Sequence, residues 1–237
     1  MLEEYSNRSS RNMPMIKFPS TPHLSNLAKY PIRGDKVLSD HERAEFLSHE
    51  IIVEEKIDGA NLGISFNLDG SFNLHNRGNA INPPYLGQWK KIPEWLNRHI
   101  DELFDELGTS KMMFGEWCYA KHSILYNRLP DWFIGFDVYD LPQGRFLSTK
   151  YRNTILSKAG IPVIKELGRG LFSLESIVKM LKKSTYGDAS SEGLYLRIEE
   201  GKWLMHRAKI VRPVFMQSID IHWSRKQLHP NKVLLSN

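Results

Sequence analysis

The sequence predicts an α+β fold in which antiparallel sheets carry flanking helices. Three observations point there. Short apolar or alternating runs are bounded by tight-turn signals, a few separate segments repeat apolar residues at helical spacing, and the two kinds do not alternate strictly as a parallel sheet requires.

KFPSTPHL, residues 17–24, reads as an extended, proline-punctuated lead-in, and SDHERAEFL, 39–47, as a short helix capped by Ser39 or Asp40. IIVEEK (51–56), LGISF (62–66) and FNLH (72–75) read as one antiparallel meander turning at Asp58-Gly59 and Asp69-Gly70. Leu96, Ile100, Leu103 and Leu107 mark a helix opened by Pro93 and closed by Gly108. KMMFGEWCY (111–119) and WFIGFDVYD (132–140) are expected as strands, and STKYRNTILSKAG (148–160) as a helix capped by Ser148 or Thr149. The last third predicts a helix near 174–183, strands at 193–198 and 202–210, and a short helix from Pro213. Gly168-Arg169-Gly170 lacks the rest of a dinucleotide or phosphate-loop fingerprint and reads as a turn.

With 237 residues the chain can bury one sizeable core, so the expected organisation is a flexible segment 1–14 and a single domain 15–237. No apolar stretch approaches the roughly 20 residues of a spanning helix, and the first dozen residues lack the apolar centre of a signal peptide. The expected compartment is therefore intracellular, the cytoplasm, with no membrane partner. A single cysteine, Cys118, excludes an internal disulfide and reads as a small buried apolar side chain. Thirty-two Lys and Arg against 27 Asp and Glu leave a net charge of +5, compatible with a polyanionic partner. The nine histidines include no HExxH and no Cys/His cluster, which argues against a zinc enzyme. His122 and His206 read as packing or partner residues.

Lys56 is the first candidate for chemistry. Strand alternation puts Ile52, Glu54 and Lys56 on one face, with the ammonium beside a carboxylate at a sheet rim. An isolated Glu-x-Lys is most simply a surface ion pair. A lysine becomes a covalent nucleophile where desolvation or neighbouring positive charge lowers its pKa, and Arg207 and Lys209, alternating onto one face of HRAK, supply such charge. Glu116 in FGEW and Glu192 in SEGLYL each adjoin a glycine, which leaves the backbone open to a ligand. A carboxylate so placed takes a ribose hydroxyl or Mg²⁺, or is only a solvated turn acid. Phe136 is by default a core aromatic and alternatively a platform for a base.

Together these residues carry a resemblance. EKIDG (55–59) resembles the lysine-x-Asp-Gly signature of covalent nucleotidyltransferases, the superfamily of ATP-dependent DNA ligases, RNA ligases and mRNA capping enzymes. NRG (76–78), FGEW (114–117), FDVYD (136–140), SEGLYLR (191–197) and HRAKIV (206–211) resemble its later elements in the same order. EKIDGAN, AKHSILY (120–126) and KFPSTPHL make the chain most similar to the ATP-dependent RNA ligases.

The resemblance implies a nucleotidyltransferase, ATP-grasp-like catalytic domain with a nucleotide cleft between its sheets. It implies ATP with Mg²⁺ or Mn²⁺, a lysyl-AMP on Lys56, and RNA 5′-phosphate and 3′-hydroxyl ends as substrates in RNA repair. By the same resemblance, Lys209 contacts the α-phosphate and lowers the pKa of Lys56. Arg207 lies beside it, where the family usually has lysine. Glu116 holds the ribose and, with Glu192, metal; Phe136 stacks on adenine; Arg77 faces the phosphate or RNA end. The neighbourhood of Glu55 reads the adenine edge, and Asp58 orients Lys56 or shapes its turn. The chain ends at Asn237, too soon after Arg212 for the OB-fold barrel of many relatives. RNA would then be gripped by the basic surface, by SRKQLHPNK (224–232), or through a separate end-processing or RNA-binding protein. The alternatives are a nucleotidyltransferase acting on DNA ends or caps, and a non-catalytic RNA-binding homologue. Intact Lys56, Glu116, Glu192 and Lys209 argue against the latter.

Overall fold

The apolar runs fold into two antiparallel sheets, in a computed structural model that describes residues 16–28, 30–32, 34–77, 79–217 and 228–234. The expected flexible segment 1–14 lies outside the described residues. Ile51–Lys56 (β1), Glu166–Gly170 (β8), Gly193–Glu200 (β9) and Trp203–Val211 (β10) form a four-stranded sheet in the order β10-β9-β1-β8. Ala60–Phe66 (β2), Phe72–Asn76 (β3), Asn79–Ala80 (β4), Lys111–Trp117 (β5), Phe133–Asp140 (β6) and Arg145–Phe146 (β7) form a six-stranded sheet in the order β4-β3-β2-β5-β6-β7.

The expected meander is half right. β2 and β3 make a hairpin closed by Gly70, whose φ of 82° suits the tight turn at Asp69-Gly70. β1 does not join them: it pairs with β8 and β9, and residues 57–59 carry the chain from one sheet to the other. Asp58-Gly59 is thus a crossing between sheets. Glycine is needed there for close approach, because a Cβ on Gly59 would lie 2.7 Å from the carbonyl oxygen of Trp117. Gly168-Arg169-Gly170 likewise is no turn but the end of β8, with Gly168 opposite Val53 and Gly170 opposite Ile51.

Helix Asp40–Leu47 (α1) opens on a capping box, Ser39 accepting from the Glu42 amide at 3.2 Å and Glu42 from the Ser39 amide at 2.8 Å. Ile92–Leu107 (α2) buries Trp95, Leu96, Leu103 and Leu107 and ends at Gly108, φ 51°. Thr149–Lys158 (α3) follows Ser148, but its first amide donates to Glu199 of β9 at 2.8 Å instead of to a local cap. Leu174–Lys179 (α4) stops short of the expected residue 183, because Lys183 bridges to Ser190. The short helix from Pro213 is present as Pro213–Gln217 (α5).

Strand alternation then sorts the faces. Ile51, Val53, Leu194, Leu196, Ala208 and Ile210 pack with Phe46 of α1 and Ile177 of α4 behind the smaller sheet. Leu62, Ile64, Phe66, Met113, Trp117 and Val138 pack with α2 and with Leu156 of α3 behind the larger one. The polar faces meet across a buried ionic seam. Arg152 of α3 donates to both Glu54 oxygens at 2.6 and 3.2 Å and to the Phe136 carbonyl at 2.6 Å. Arg197 of β9 binds Asp137 of β6 at 2.7 Å and Glu199 at 2.9 Å, and Arg207 reaches the other Asp137 oxygen at 3.2 Å. Glu54, Asp137, Arg152 and Arg197 are all 1% exposed or less. Removing one partner leaves a buried charge uncompensated. Arg152→Met should therefore lower stability in urea denaturation by about 3 to 5 kcal/mol, with part regained in Arg152→Met combined with Glu54→Gln.

Candidate active site

A cleft of about 330 Å³ opens where the two polar faces meet the lead-in segment. The register explains its contents. Glu54 lies opposite Tyr195, and Tyr195 opposite Lys209, so β1, β9 and β10 project Lys56, Tyr195 and Lys209 to the same side. From the larger sheet, Asn61 lies opposite Glu116 and faces them. Of the residues singled out from the sequence, Glu55, Lys56, Arg77, Glu116, Phe136 and Lys209 line the cleft. Glu192 reaches it through Lys56, whose Nζ donates to it at 2.6 Å. Arg77 sits in the left-handed region, φ 47°, in the turn after β3.

Phe136 owes its position to a β-bulge. β5 and β6 slip between Phe114 and Gly115, which face Asp137 and Gly135, so Phe136 is the extra residue and its ring is re-aimed into the cleft. It meets the edge of Phe18, centroids 5.2 Å apart, and Phe18 also packs on Phe114 and Phe146. The glycines beside the two acids have a reason other than ligand approach. A Cβ on Gly115 would fall 2.2 Å from the Phe133 ring, and one on Gly193 2.1 Å from the Ile210 carbonyl oxygen. Strand packing excludes a side chain at both.

Three expectations need correction. Lys56 does not pair with Glu54, which the seam arginines hold; its partner is Glu192. Its pKa is not lowered. Burial acts in that direction, but the Glu192, Glu116 and Asp58 carboxylates outweigh it and hold the ammonium above the usual lysine range. Lys209 has its own acid: its Nζ donates to Asp35 at 2.6 Å. Arg207 does not line the cleft. Its guanidinium lies 4.1 Å from the Phe146 centroid and 4.8 Å from that of Phe18, bracing the aromatic cluster behind it.

Asp58 shapes its surroundings. Its Oδ2 accepts from the Ser123 and Ile124 amides at 2.6 and 2.9 Å, and its amide donates to the Tyr126 hydroxyl at 2.9 Å, fixing the AKHSILY loop. The Glu55 carboxylate points away from the Lys56 side and is held by Ser184 and Thr185. His122 contacts the Gln88 side chain at 2.9 Å, and His206 is exposed on β10. Cys118 is fully buried, and burial followed by the charges of Glu116 and Asp58 pushes its thiol pKa well up, as suits an inert packing residue.

Burial, followed by repulsion from Glu192 and Asp58 and opposed by Lys56, pushes Glu116 up to about 8, and burial likewise raises Glu192. A pair of crowded carboxylates beside open space suits a hard divalent cation that completes its shell with water and phosphate. No group of three or more metal-ligating side chains occurs among the described residues. Sequence reasoning missed Phe18, Asp35, Asn61 and Tyr195. Tyr195 was open to detection, alternating with Arg197 in GLYLR; Asp35 lies 174 positions from Lys209 and carries no local signal.

No helix among the described residues is long and apolar enough to cross a membrane. No curated protein sequence matches the chain. Solved structures do, and those of one ligase share the fold at low identity. A point mutant of the Naegleria gruberi RNA ligase with ATP and Mn superposes with TM-score 0.61 at 14% identity, over 87% of this chain and 58% of that one. Another mutant of that ligase, with AMP and Mn, gives 0.57 at 15%, over 75% and 54%. The ligase with PPi gives 0.56 at 17%, over 73% and 52%. This chain thus spans about half the length of those proteins. The family model described as RNA ligase matches residues 49–212, from the start of β1 to the end of β10, and the chain belongs to the RNA ligase family.

Proposed function

We propose that residues 15–237 act as an adenylation domain that joins RNA 5′-phosphate and 3′-hydroxyl ends at the expense of ATP, in an RNA repair reaction. The observation that carries this reading is the convergence of Lys56 and Lys209 with Glu116 and Glu192 on one cleft in a chain of this family. Lys56 gives up a proton to solvent, its free amine forms a bond to the α-phosphorus of ATP and loses a second proton to solvent as the phosphoramidate forms, and the bond from that phosphorus to the β-phosphate oxygen breaks with its electron pair leaving on pyrophosphate. An oxygen of the RNA 5′-phosphate then displaces Lys56 from phosphorus, and the lysine recovers a proton. The RNA 3′-hydroxyl attacks the activated 5′-phosphate, loses its proton and expels AMP.

Negative charge develops on phosphoryl oxygens throughout, so fixed cations are the main catalytic resource. Lys209 meets the α-phosphate, Arg77 faces the phosphates or the RNA end, and Phe136 takes the adenine face. Glu116 holds the ribose and, with Glu192, would hold Mg²⁺ or Mn²⁺, which supplies positive charge that offsets the acids keeping Lys56 protonated. Asp58 keeps the loop behind Lys56 in place. Arg207 acts indirectly, by supporting Phe18 and Asp137.

Three outcomes test this. Intact-mass measurement after mixing with ATP and Mg²⁺ should show one added AMP on the wild-type chain and none on Lys56→Ala; an unchanged adduct on the variant refutes the nucleophile. Without nucleotide, an amine-directed reagent should modify Lys56 faster in Glu192→Gln, by about tenfold for each pKa unit lost, read by peptide mass mapping. Glu116 has a folded pKa raised from 4.5 to about 8, so the stability lost by ionising it accumulates from about pH 4.5 and is complete above about pH 8. Thermal melts should therefore show Glu116→Gln gaining on wild type as pH rises through that window, by up to about 5 kcal/mol at its upper end.

A further inference from the structure

Lys56 and Lys209 of the cleft and the arginines of the seam are matched by acids, whereas a second set is not. Arg145 of β7, Lys150 at the start of α3 and Lys202 in the turn between β9 and β10 are exposed, and none of them enters an ion pair among the described residues. Each lies over an aromatic ring instead. The Arg145 guanidinium is 5.0 Å from the Trp203 centroid, Lys202 is 5.4 Å from Trp203 and 5.6 Å from Tyr151, and Lys150 is 5.9 Å from Tyr151.

The three segments are locked together. The Ser148 amide donates to the Lys202 carbonyl at 2.8 Å, the Ser148 hydroxyl to the Gly201 carbonyl at 3.2 Å, and Leu147 bridges to Trp203. Tyr151 remains 40% exposed, as does Met205, which accepts from Arg145 at 3.1 Å. Glu200 stands opposite Trp203 in the strand register and Asp140 opposite Arg145, but neither carboxylate pairs with the three cations.

We infer that this surface, outside the catalytic cleft, binds single-stranded RNA flanking the ends to be joined. Cations gathered around the exposed Tyr151 ring and the half-buried Trp203 suit a strand that offers both phosphates and unstacked bases: phosphates draw the ammonium and guanidinium groups, and a base stacks on Tyr151. A duplex keeps its bases stacked and can use only the charge. An acidic polypeptide would likewise leave the ring faces unused. The inference rests on the RNA-joining reading, and adenylate formation with ATP alone separates the two, since it requires the cleft and no RNA.

The test is fluorescence anisotropy of the full chain with a labelled single-stranded RNA, over a range of salt. The Lys150→Ala, Lys202→Ala double variant should bind about tenfold more weakly, with the logarithmic salt slope reduced by about 1.4 for two lost phosphate contacts. Tyr151→Leu should weaken binding by about fivefold or more at an unchanged slope, because a stacking face is lost without loss of charge. Both should form the Lys56 adenylate as wild type does, and Tyr151→Leu should affect a blunt RNA duplex less than the single strand. Unchanged single-strand affinity in both variants overturns the inference, as does an equal loss for the duplex in Tyr151→Leu. So does poly-glutamate binding that weakens in Tyr151→Leu as much as RNA binding does. Photocrosslinking of a 4-thiouridine strand to the wild-type chain gives an answer independent of any variant: adducts on Tyr151 or Trp203 support the site, and adducts confined to other peptides refute it.

Discussion

The ionic seam between the sheets is the constraint from which the rest of the structure follows. Arg152 and Arg197 tie Glu54 and Asp137 together where none of the four side chains meets water. Taking those charges out of solvent costs about as much as their attraction returns, so the seam is better understood as a device for registration than as a source of stability. Its geometric effect is direct. Glu54 and Lys56 are alternate residues of one strand, and holding the first fixes the direction of the second. Asp137 follows the bulged Phe136, so the same contacts that align β6 also aim the ring.

The order of chemistry along the chain was open to reading, because the candidate lysines, acids and aromatic sit in short motifs whose strand alternation is local. α1 and α2 were equally open, since a capping box and a helical apolar stripe are properties of neighbouring residues. The partition of strands between sheets was not. Asp58-Gly59 has the composition of a hairpin turn, and only the Trp117 carbonyl, far along the sequence, shows what the glycine is for. β8 was hidden for a related reason: two glycines in five residues resemble a turn unless β1 is seen alongside.

The same limit governs the site. Which residues enter the cleft followed from motif and alternation; who partners whom did not. Glu54 appeared to belong to Lys56 because they share a face, but Arg152 comes from 98 positions away with a bidentate fork, while Glu192 approaches Lys56 from 136. Arg207 appeared to belong beside Lys209 because a single residue, Ala208, separates them in the strand, yet its guanidinium lies over Phe146 and binds Asp137.

Lys56 and Lys209 are consequently each held by an acid from a distant segment, and the two acids do different things. Glu192 is itself raised by burial, and together with Glu116 and Asp58 it keeps Lys56 protonated, so positive charge delivered to these carboxylates is what favours the free amine. Asp35 sits on the segment that runs from the lead-in to α1, as does Phe18, and burial does not prevent Lys209 and Ser20 from holding it below the usual carboxylate range. A phosphate brought to Lys209 must outcompete that carboxylate. The strength of the Lys209 to Asp35 contact therefore enters the affinity of the cleft for any phosphate, and the segment carrying Asp35 and Phe18 is energetically part of the site although it contributes none of the signature residues.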